Sequence, residues 1–206
     1  MANFTPKINF CCQSWKCYAQ SFSMKVSIYR GDSCIGGPRE RSFLNSRMAL
    51  LGCLPEKNIE YKDLEIVDYL YLKKAPQYKV SISHTEEFGA AAASDSEDIL
   101  SVGIDIELQQ RSMRAGSEKY FVNEQDMETS SLKLWVLKEA AFKALSPLVK
   151  NEFPHLLLKN IWIRGNHFGI CPSDKILGDI RLEKVNQYGK DFYQALAWIN
   201  SPFSLK

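Results

Sequence analysis

The segment Val102-Gly103-Ile104-Asp105-Ile106-Glu107 alternates apolar and polar residues with a period of two, the pattern of a strand with two unlike faces. Successive side chains on a strand point to opposite sides. Ile104 and Ile106 therefore enter a core, while Asp105 and Glu107 project together from the other face. Two carboxylates this close repel by roughly 1–4 kcal/mol at about 4 Å, depending on the effective dielectric. A cation relieves that repulsion. An all-oxygen donor set favours a hard ion such as Mg²⁺, which fills its other positions with water and phosphate oxygens. Taken alone, a D-x-E strand is more often a solvated face.

The rest of the chain supplies strands and two helices around this segment. Residues 1–23 read as an irregular or partly extended lead-in. A strand is predicted over Met24–Arg30. A helix is predicted over Arg39–Leu54, with Phe43, Leu44, Ala49, Leu50 and Leu51 mostly on one face and Pro55 ending it. Glu65–Leu72 is strand-like, Lys79–Ser83 and Gly89–Ser94 are short β segments, and Asp95-Ser96 marks the turn before a strand over Leu100–Glu107. A second helix covers Ser131–Leu145, with Ser146-Pro147 as its stop. Strands follow at Leu156–Arg164, His167–Cys171, Asp179–Lys184 and Phe192–Ile199, the last two paired around Gln187–Lys190. Each half has a helix and a few strands without strict βαβ alternation, which predicts an α+β fold. Neither half has much core alone, so the halves pack together.

Composition narrows the function classes. With 206 residues, 45% hydrophobic and 24% charged, the chain has globular averages. A formal net charge of +2 does not suit a surface that coats nucleic acid. No apolar run approaches the roughly 18–20 residues that span a bilayer, and Met1–Lys16 lacks the apolar core of a signal peptide. Six cysteines without a C-x-x-C pair, beside only His84, His155 and His167, argue against zinc and for reduced thiols in a cytosolic protein.

Three further groups of residues carry chemistry. In Trp135-Val136-Leu137-Lys138-Glu139-Ala140-Ala141-Phe142-Lys143, Glu139 and Lys143 lie one helical turn apart and share a face bordered by Trp135 and Phe142. Such a pair is ordinary on a helix surface, yet it could also add a third carboxylate and a cation for phosphate. Ser81-Ile82-Ser83-His84-Thr85 sets a histidine among hydroxyls at a strand end, where it can bind phosphate oxygens or simply close a turn. Arg39, Arg41 and Arg47 place guanidinium forks, suited to phosphate, on the first helix; Lys73 and Lys74 are a weaker cationic pair.

In this order the elements resemble the 4′-phosphopantetheinyl transferase superfamily. Gly103-Ile104-Asp105-Ile106-Glu107 matches its G-[IV]-D-x-E strand, and Trp135–Lys143 matches its W-x-x-K-E-A-x-x-K helix, at a spacing inside a short version of the family range. Ile82-Ser83-His84 matches the I-S-H element. Arg41–Arg47 is similar to the R-x-x-F-x-x-x-R helix of the surfactin-type subgroup, and Tyr120–Glu124 to a segment that opens a helix between the two main motifs.

The resemblance implies a monomeric pseudo-dimer of two similar halves, each a small antiparallel sheet packed with a long helix. The division falls near residue 101, between 1–101 and 102–206, with coenzyme A bound between the halves. It implies Mg²⁺ on Asp105, Glu107 and Glu139, and the coenzyme A pyrophosphate on Lys143 and His84 beside Ser83. The 3′-phosphate would lie on Arg41, with Arg39 and Arg47 as helpers, and Lys74 would be a nucleotide contact. The serine of an apo acyl or peptidyl carrier protein would then take the phosphopantetheine arm and 3′,5′-ADP would leave. Glu139 and Lys143 are the catalytic pair, with the base open between Glu139 and a metal-bound hydroxide. Met113, Tyr120, Phe121 and Met127 are the apolar candidates to face the carrier, with core burial the expected fate of Phe121, and no nucleic acid or membrane partner is expected. The alternative is a catalytically silent relative that binds coenzyme A or a carrier.

Overall fold

The computed structural model describes residues 11–16, 23–31, 37–55, 58–128, 130–203 and 205; the side chains of 11–16, 23, 38 and 39 lie outside that description. Eleven strands and two α-helices form among these residues. The strands are β1 Cys11–Lys16, β2 Ser23–Arg30, β3 Ile66–Val67, β4 Tyr71–Leu72, β5 Lys79–Thr85, β6 Phe88–Ser94, β7 Ile99–Leu108, β8 Ile161–Arg164, β9 His167–Ile170, β10 Gly178–Gln187 and β11 Lys190–Asn200. The helices are α1 Pro38–Cys53 and α2 Ser131–Val149. The fold is α+β. One antiparallel sheet has the order β1-β2-β6-β5-β4-β3 and the other β7-β11-β10-β9-β8.

Three apolar clusters define the layering. Helix α1 (Ala49, Leu50, Cys53) packs on Leu72, Val80, Ala91 and Ala93 of the first sheet. Helix α2 (Val136, Ala140, Ala144) packs on Ile163, Ile180, Ala195 and Ala197 of the second. The other faces of the two sheets meet between them, where Val26, Ile28, Phe88 and Ala90 contact Ile104, Ile106, Phe192 and Leu196. Ile104 and Ile106 thus enter a core, as the alternation predicts.

Each helix comes unusually close to its sheet over a strand glycine. A Cβ on Gly89 of β6 would stand 2.2 Å from the Asn45 carbonyl carbon of α1, and one on Gly103 of β7 would stand 2.0 Å from the Ala140 carbonyl oxygen of α2. Those atoms are backbone, so no side chain can rotate away. The approach over Gly89 puts Asn45 and Ser46 on the buried face of α1, while Phe43, expected inside, is 51% exposed.

Several boundaries differ from the sequence expectation. The β3–β4 pair replaces a single strand at Glu65–Leu72. Asp68 and Tyr69, both with φ near +55°, form a tight turn that folds the segment on itself. Helix α2 runs through Pro147 to Val149. The proline forfeits a hydrogen bond to the Lys143 carbonyl, but Val149 is fully buried and Leu148 packs on the same core, which offsets that loss. Leu156–Arg164 is a short 3₁₀ turn at Leu158–Asn160 followed by β8.

No α-helix begins at Tyr120–Glu124, where a 3₁₀ turn at Ser117–Tyr120 gives way to irregular chain. That segment is tied down by side chain–backbone bonds that compete with helix. Asn123 Nδ2 donates to the Lys159 and Ile161 carbonyls, and Asp126 accepts the Asn123 and Ile163 amides. The β10–β11 hairpin forms as expected, its two-residue turn using positive φ at Tyr188 and Gly189. The lead-in contributes β1, which pairs with β2; residues 1–10 and 17–22 lie outside the described residues.

Two stability predictions follow from this packing. Gly103→Ala forces α2 off β7, and chemical denaturation should show a loss of about 1–3 kcal/mol or more. Lys138 is wholly buried, its Nζ 2.7 Å from Asp126 Oδ2 and donating to the Phe121 carbonyl. Burial pulls its pKa down and Asp126 partly restores it. Lys138→Met strands the buried Asp126 carboxylate, and the same measurement should show about 3–5 kcal/mol lost.

Candidate functional site

Strand β7 is the outermost strand of its sheet, with one edge paired to β11. Its other edge faces β5, whose alternate residues present three hydroxyls. Ser81 Oγ accepts the Ile104 amide at 3.1 Å, Ser83 Oγ donates to Asp105 Oδ1 at 2.6 Å, and Thr85 Oγ1 donates to Glu107 Oε2 at 2.8 Å. Because the odd residues of β5 point one way, a single register serves all three contacts. The two sheets are thereby stitched at the acidic strand.

Asp105 and Glu107 are 6% and 5% exposed, so their charges are compensated locally. Lys143 Nζ reaches from α2 to Asp105 Oδ1 at 2.8 Å and to the Ile104 carbonyl at 3.0 Å. Arg111, just beyond β7, pairs with Glu107 Oε1. Asp105 Oδ2 is buried and makes no hydrogen bond. Glu139 stands on α2 one turn before Lys143. Burial and the Asp105 charge push its pKa up, against the opposing pull of Lys143 and Arg111.

All of these side chains except Arg111 and Thr85 line one cavity of about 900 Å³. Asp105, Glu107, Glu139, Lys143, Ser83 and His84 meet there, and Arg47 of α1 reaches it as well. Trp135 and Phe142, expected to border the Glu139 face, form part of the wall, as do Tyr69 of the β3–β4 turn and Pro147. At the rim Lys150 Nζ pairs with Asp68 Oδ1 at 3.1 Å. A smaller hollow of about 470 Å³ continues past Arg47 and His84 to Phe43, Ser46 and Glu86. The Arg47 guanidinium stacks 3.5 Å from the Phe43 ring centroid. It has no carboxylate partner among the described residues, which leaves a half-buried cation open to an anion. His84 is held below the usual imidazole pKa by burial and by Lys143, with Asp105 opposing. At neutral pH it is therefore an uncharged hydrogen-bonding group.

The other candidates stand elsewhere. Lys74 pairs with Asp63 at 2.9 Å and lines neither cavity. Arg41 is on α1 but lines neither, and the Arg39 side chain lies outside the described residues. Phe121 is buried against Trp135, ring centroids 5.4 Å apart, whereas Tyr120 and Met127 are exposed and Met113 is half-buried against the α2 core. His155 is exposed, and His167 pairs with Asp179 on the surface. Sequence reasoning missed Arg111, Thr85 and Ser81. Strand alternation in Ser81-Ile82-Ser83-His84-Thr85, which puts three hydroxyls on one face, is the signal for the two β5 residues; Arg111 has no local signal.

Among the described residues no group of three or more His, Cys, Asp or Glu side chains is arranged to hold a metal ion. Lys143 and Arg111 take the carboxylate oxygens that a metal would use. The donor set still fits a hard divalent cation, because three carboxylates face one cavity and the buried Asp105 Oδ2 lacks a partner. Compared with known proteins, the chain matches no protein-family model and no curated protein sequence. No helix among the described residues is long and apolar enough to cross a membrane.

The raised pKa of Glu139 gives a pH test. The folded state binds the Glu139 proton more tightly than the unfolded chain does. Stability therefore falls as pH rises from the unfolded carboxylate range through the folded pKa. In metal-chelated buffer Glu139→Gln should be more stable than wild type at pH 8, and the difference should vanish at acidic pH in paired denaturation curves.

Proposed function

We propose that this protein is a Mg²⁺-dependent 4′-phosphopantetheinyl transferase, moving the phosphopantetheine arm of coenzyme A to a serine of an apo acyl or peptidyl carrier protein. One observation carries the reading. Three carboxylates, Lys143, His84 and Arg47, drawn from β7, α2, β5 and α1, share one cavity between two helix-backed sheets. The paired glycine approaches, Gly89 under α1 and Gly103 under α2, support two similar halves meeting at that cavity, divided near residue 101. A site complete within one chain suits a monomer, and the reduced cysteines Cys53 and Cys171 suit the cytosol.

The charge inventory fits a dinucleotide-like substrate. We assign the 3′-phosphate to Arg47, which lines the cavity, in place of Arg41, which does not. Lys143 and the uncharged His84 supply hydrogen bonds to the pyrophosphate, with Ser83 behind them holding Asp105. Bound to Asp105, Glu107 and Glu139, Mg²⁺ would neutralise charge on the pyrophosphate and its leaving oxygen. In the transfer, the carrier serine oxygen forms a bond to the phosphorus bearing pantetheine as that phosphorus loses its bond to the oxygen of 3′,5′-ADP. Glu139 takes the serine proton, and Lys143 offsets charge on the departing phosphate.

A second reading, a relative that binds coenzyme A or a carrier without chemistry, is favoured by Arg111 closing Glu107. Incubation with Mg²⁺, coenzyme A and a panel of apo carriers, read by intact-mass spectrometry, separates the two. Transfer predicts carriers gaining the arm. Binding of coenzyme A with unmodified carriers, while a control transferase labels them, selects the silent reading. Asp105→Asn keeps an acceptor for Ser83 and should retain the wild-type circular dichroism. Its kcat/KM should fall by about 10²-fold or more.

A further inference from the structure

The two carboxylates of β7 are occupied unequally. Asp105 Oδ1 accepts from Ser83 and Lys143, and Glu107 Oε2 from Thr85; all three partners belong to packed strands or helix α2. Glu107 Oε1 is held by Arg111, which follows the end of β7 and whose side chain is 45% exposed, against 7% for that of Glu107. Of these partners Arg111 alone is not part of a packed element, so it leaves most easily. It also has somewhere to go. A side cavity of about 330 Å³, lined by Arg111, His84, Thr85, Glu86 and Leu108, adjoins the main cavity at His84 and offers the Glu86 carboxylate as another partner.

We infer that Arg111 is a displaceable internal counter-cation, closing Glu107 in the metal-free protein and yielding it when a divalent cation binds beside Asp105 Oδ2. This rests on the reading of Asp105, Glu107 and Glu139 as metal ligands. An arginine on a buried carboxylate stabilises the empty site and competes with the ion for the same oxygen. The guanidinium therefore sets the concentration at which the site fills. It is a positioning residue, acting through Glu107.

The test measures metal affinity directly. Mn²⁺ binding to the full chain is followed by electron paramagnetic resonance of the free ion and by calorimetry, for wild type, Arg111→Gln and Arg111→Lys. Arg111→Gln should bind Mn²⁺ about tenfold more tightly than wild type, the size of effect that neighbours of ligands commonly have. Arg111→Lys should fall between the two. Mg²⁺ should also raise the melting temperature of Arg111→Gln by more than it raises that of wild type. Equal or weaker Mn²⁺ binding by Arg111→Gln, with wild-type circular dichroism, overturns the counter-cation role and leaves the metal reading standing. Should Arg111→Gln not fold, equal or weaker binding by Arg111→Lys does the same. Absence of Mn²⁺ binding to any of the three proteins overturns both.

Discussion

Two carboxylates buried side by side on one strand must be neutralised from outside that strand, and this need couples the parts of the molecule. Asp105 and Glu107 draw hydroxyls from β5, an ammonium from α2 and a guanidinium from the chain beyond β7. Removing any one partner leaves charge in a medium that solvates it poorly. The acidic pair therefore fixes where β5 lies against β7 and how deeply α2 sits, and Gly103 is the backbone feature that lets α2 come close enough for Lys143 to reach.

The same contacts close an edge that would otherwise be open. Strand β7 ends its sheet, and a bare edge is a template for unwanted pairing. In an antiparallel strand the amide and carbonyl of one residue point the same way. At Ile104 both point away from β11, the amide to Ser81 and the carbonyl to Lys143. One residue thus ties β7 to β5 through its amide and to α2 through its carbonyl, while its side chain enters the core between sheets.

What was legible in the sequence was periodic. The period of two at 102–107 and the one-turn spacing of Glu139 and Lys143 are local geometry, and the structure keeps both. The strands and helices of both halves were also largely visible, because apolar alternation and Gly or Pro punctuation mark them. What escaped depends on contacts between residues far apart. Nothing near Ser83 announces Asp105, and nothing near Arg111 distinguishes it from Arg114. Helix α2 passes Pro147 because Val149 finds a core there, and Tyr120–Glu124 stays irregular because Asn123 and Asp126 bind the backbone of β8. Phe43 is exposed because α1 turns its small polar residues toward Gly89. In each case tertiary packing overrode a sound local preference.

The link between β6 and β7 is only residues 95–98. At roughly 3.5 Å per residue that tether is short, and the hydroxyl stitches lie further along the strands that it joins. The two sheets are leashed beside the very strand that bears the acids, so a wide clamshell swing about this joint would tear the stitches first. The cavity rim opposite that joint carries the solvent-exposed Asp68–Lys150 pair, which can part without disturbing either sheet.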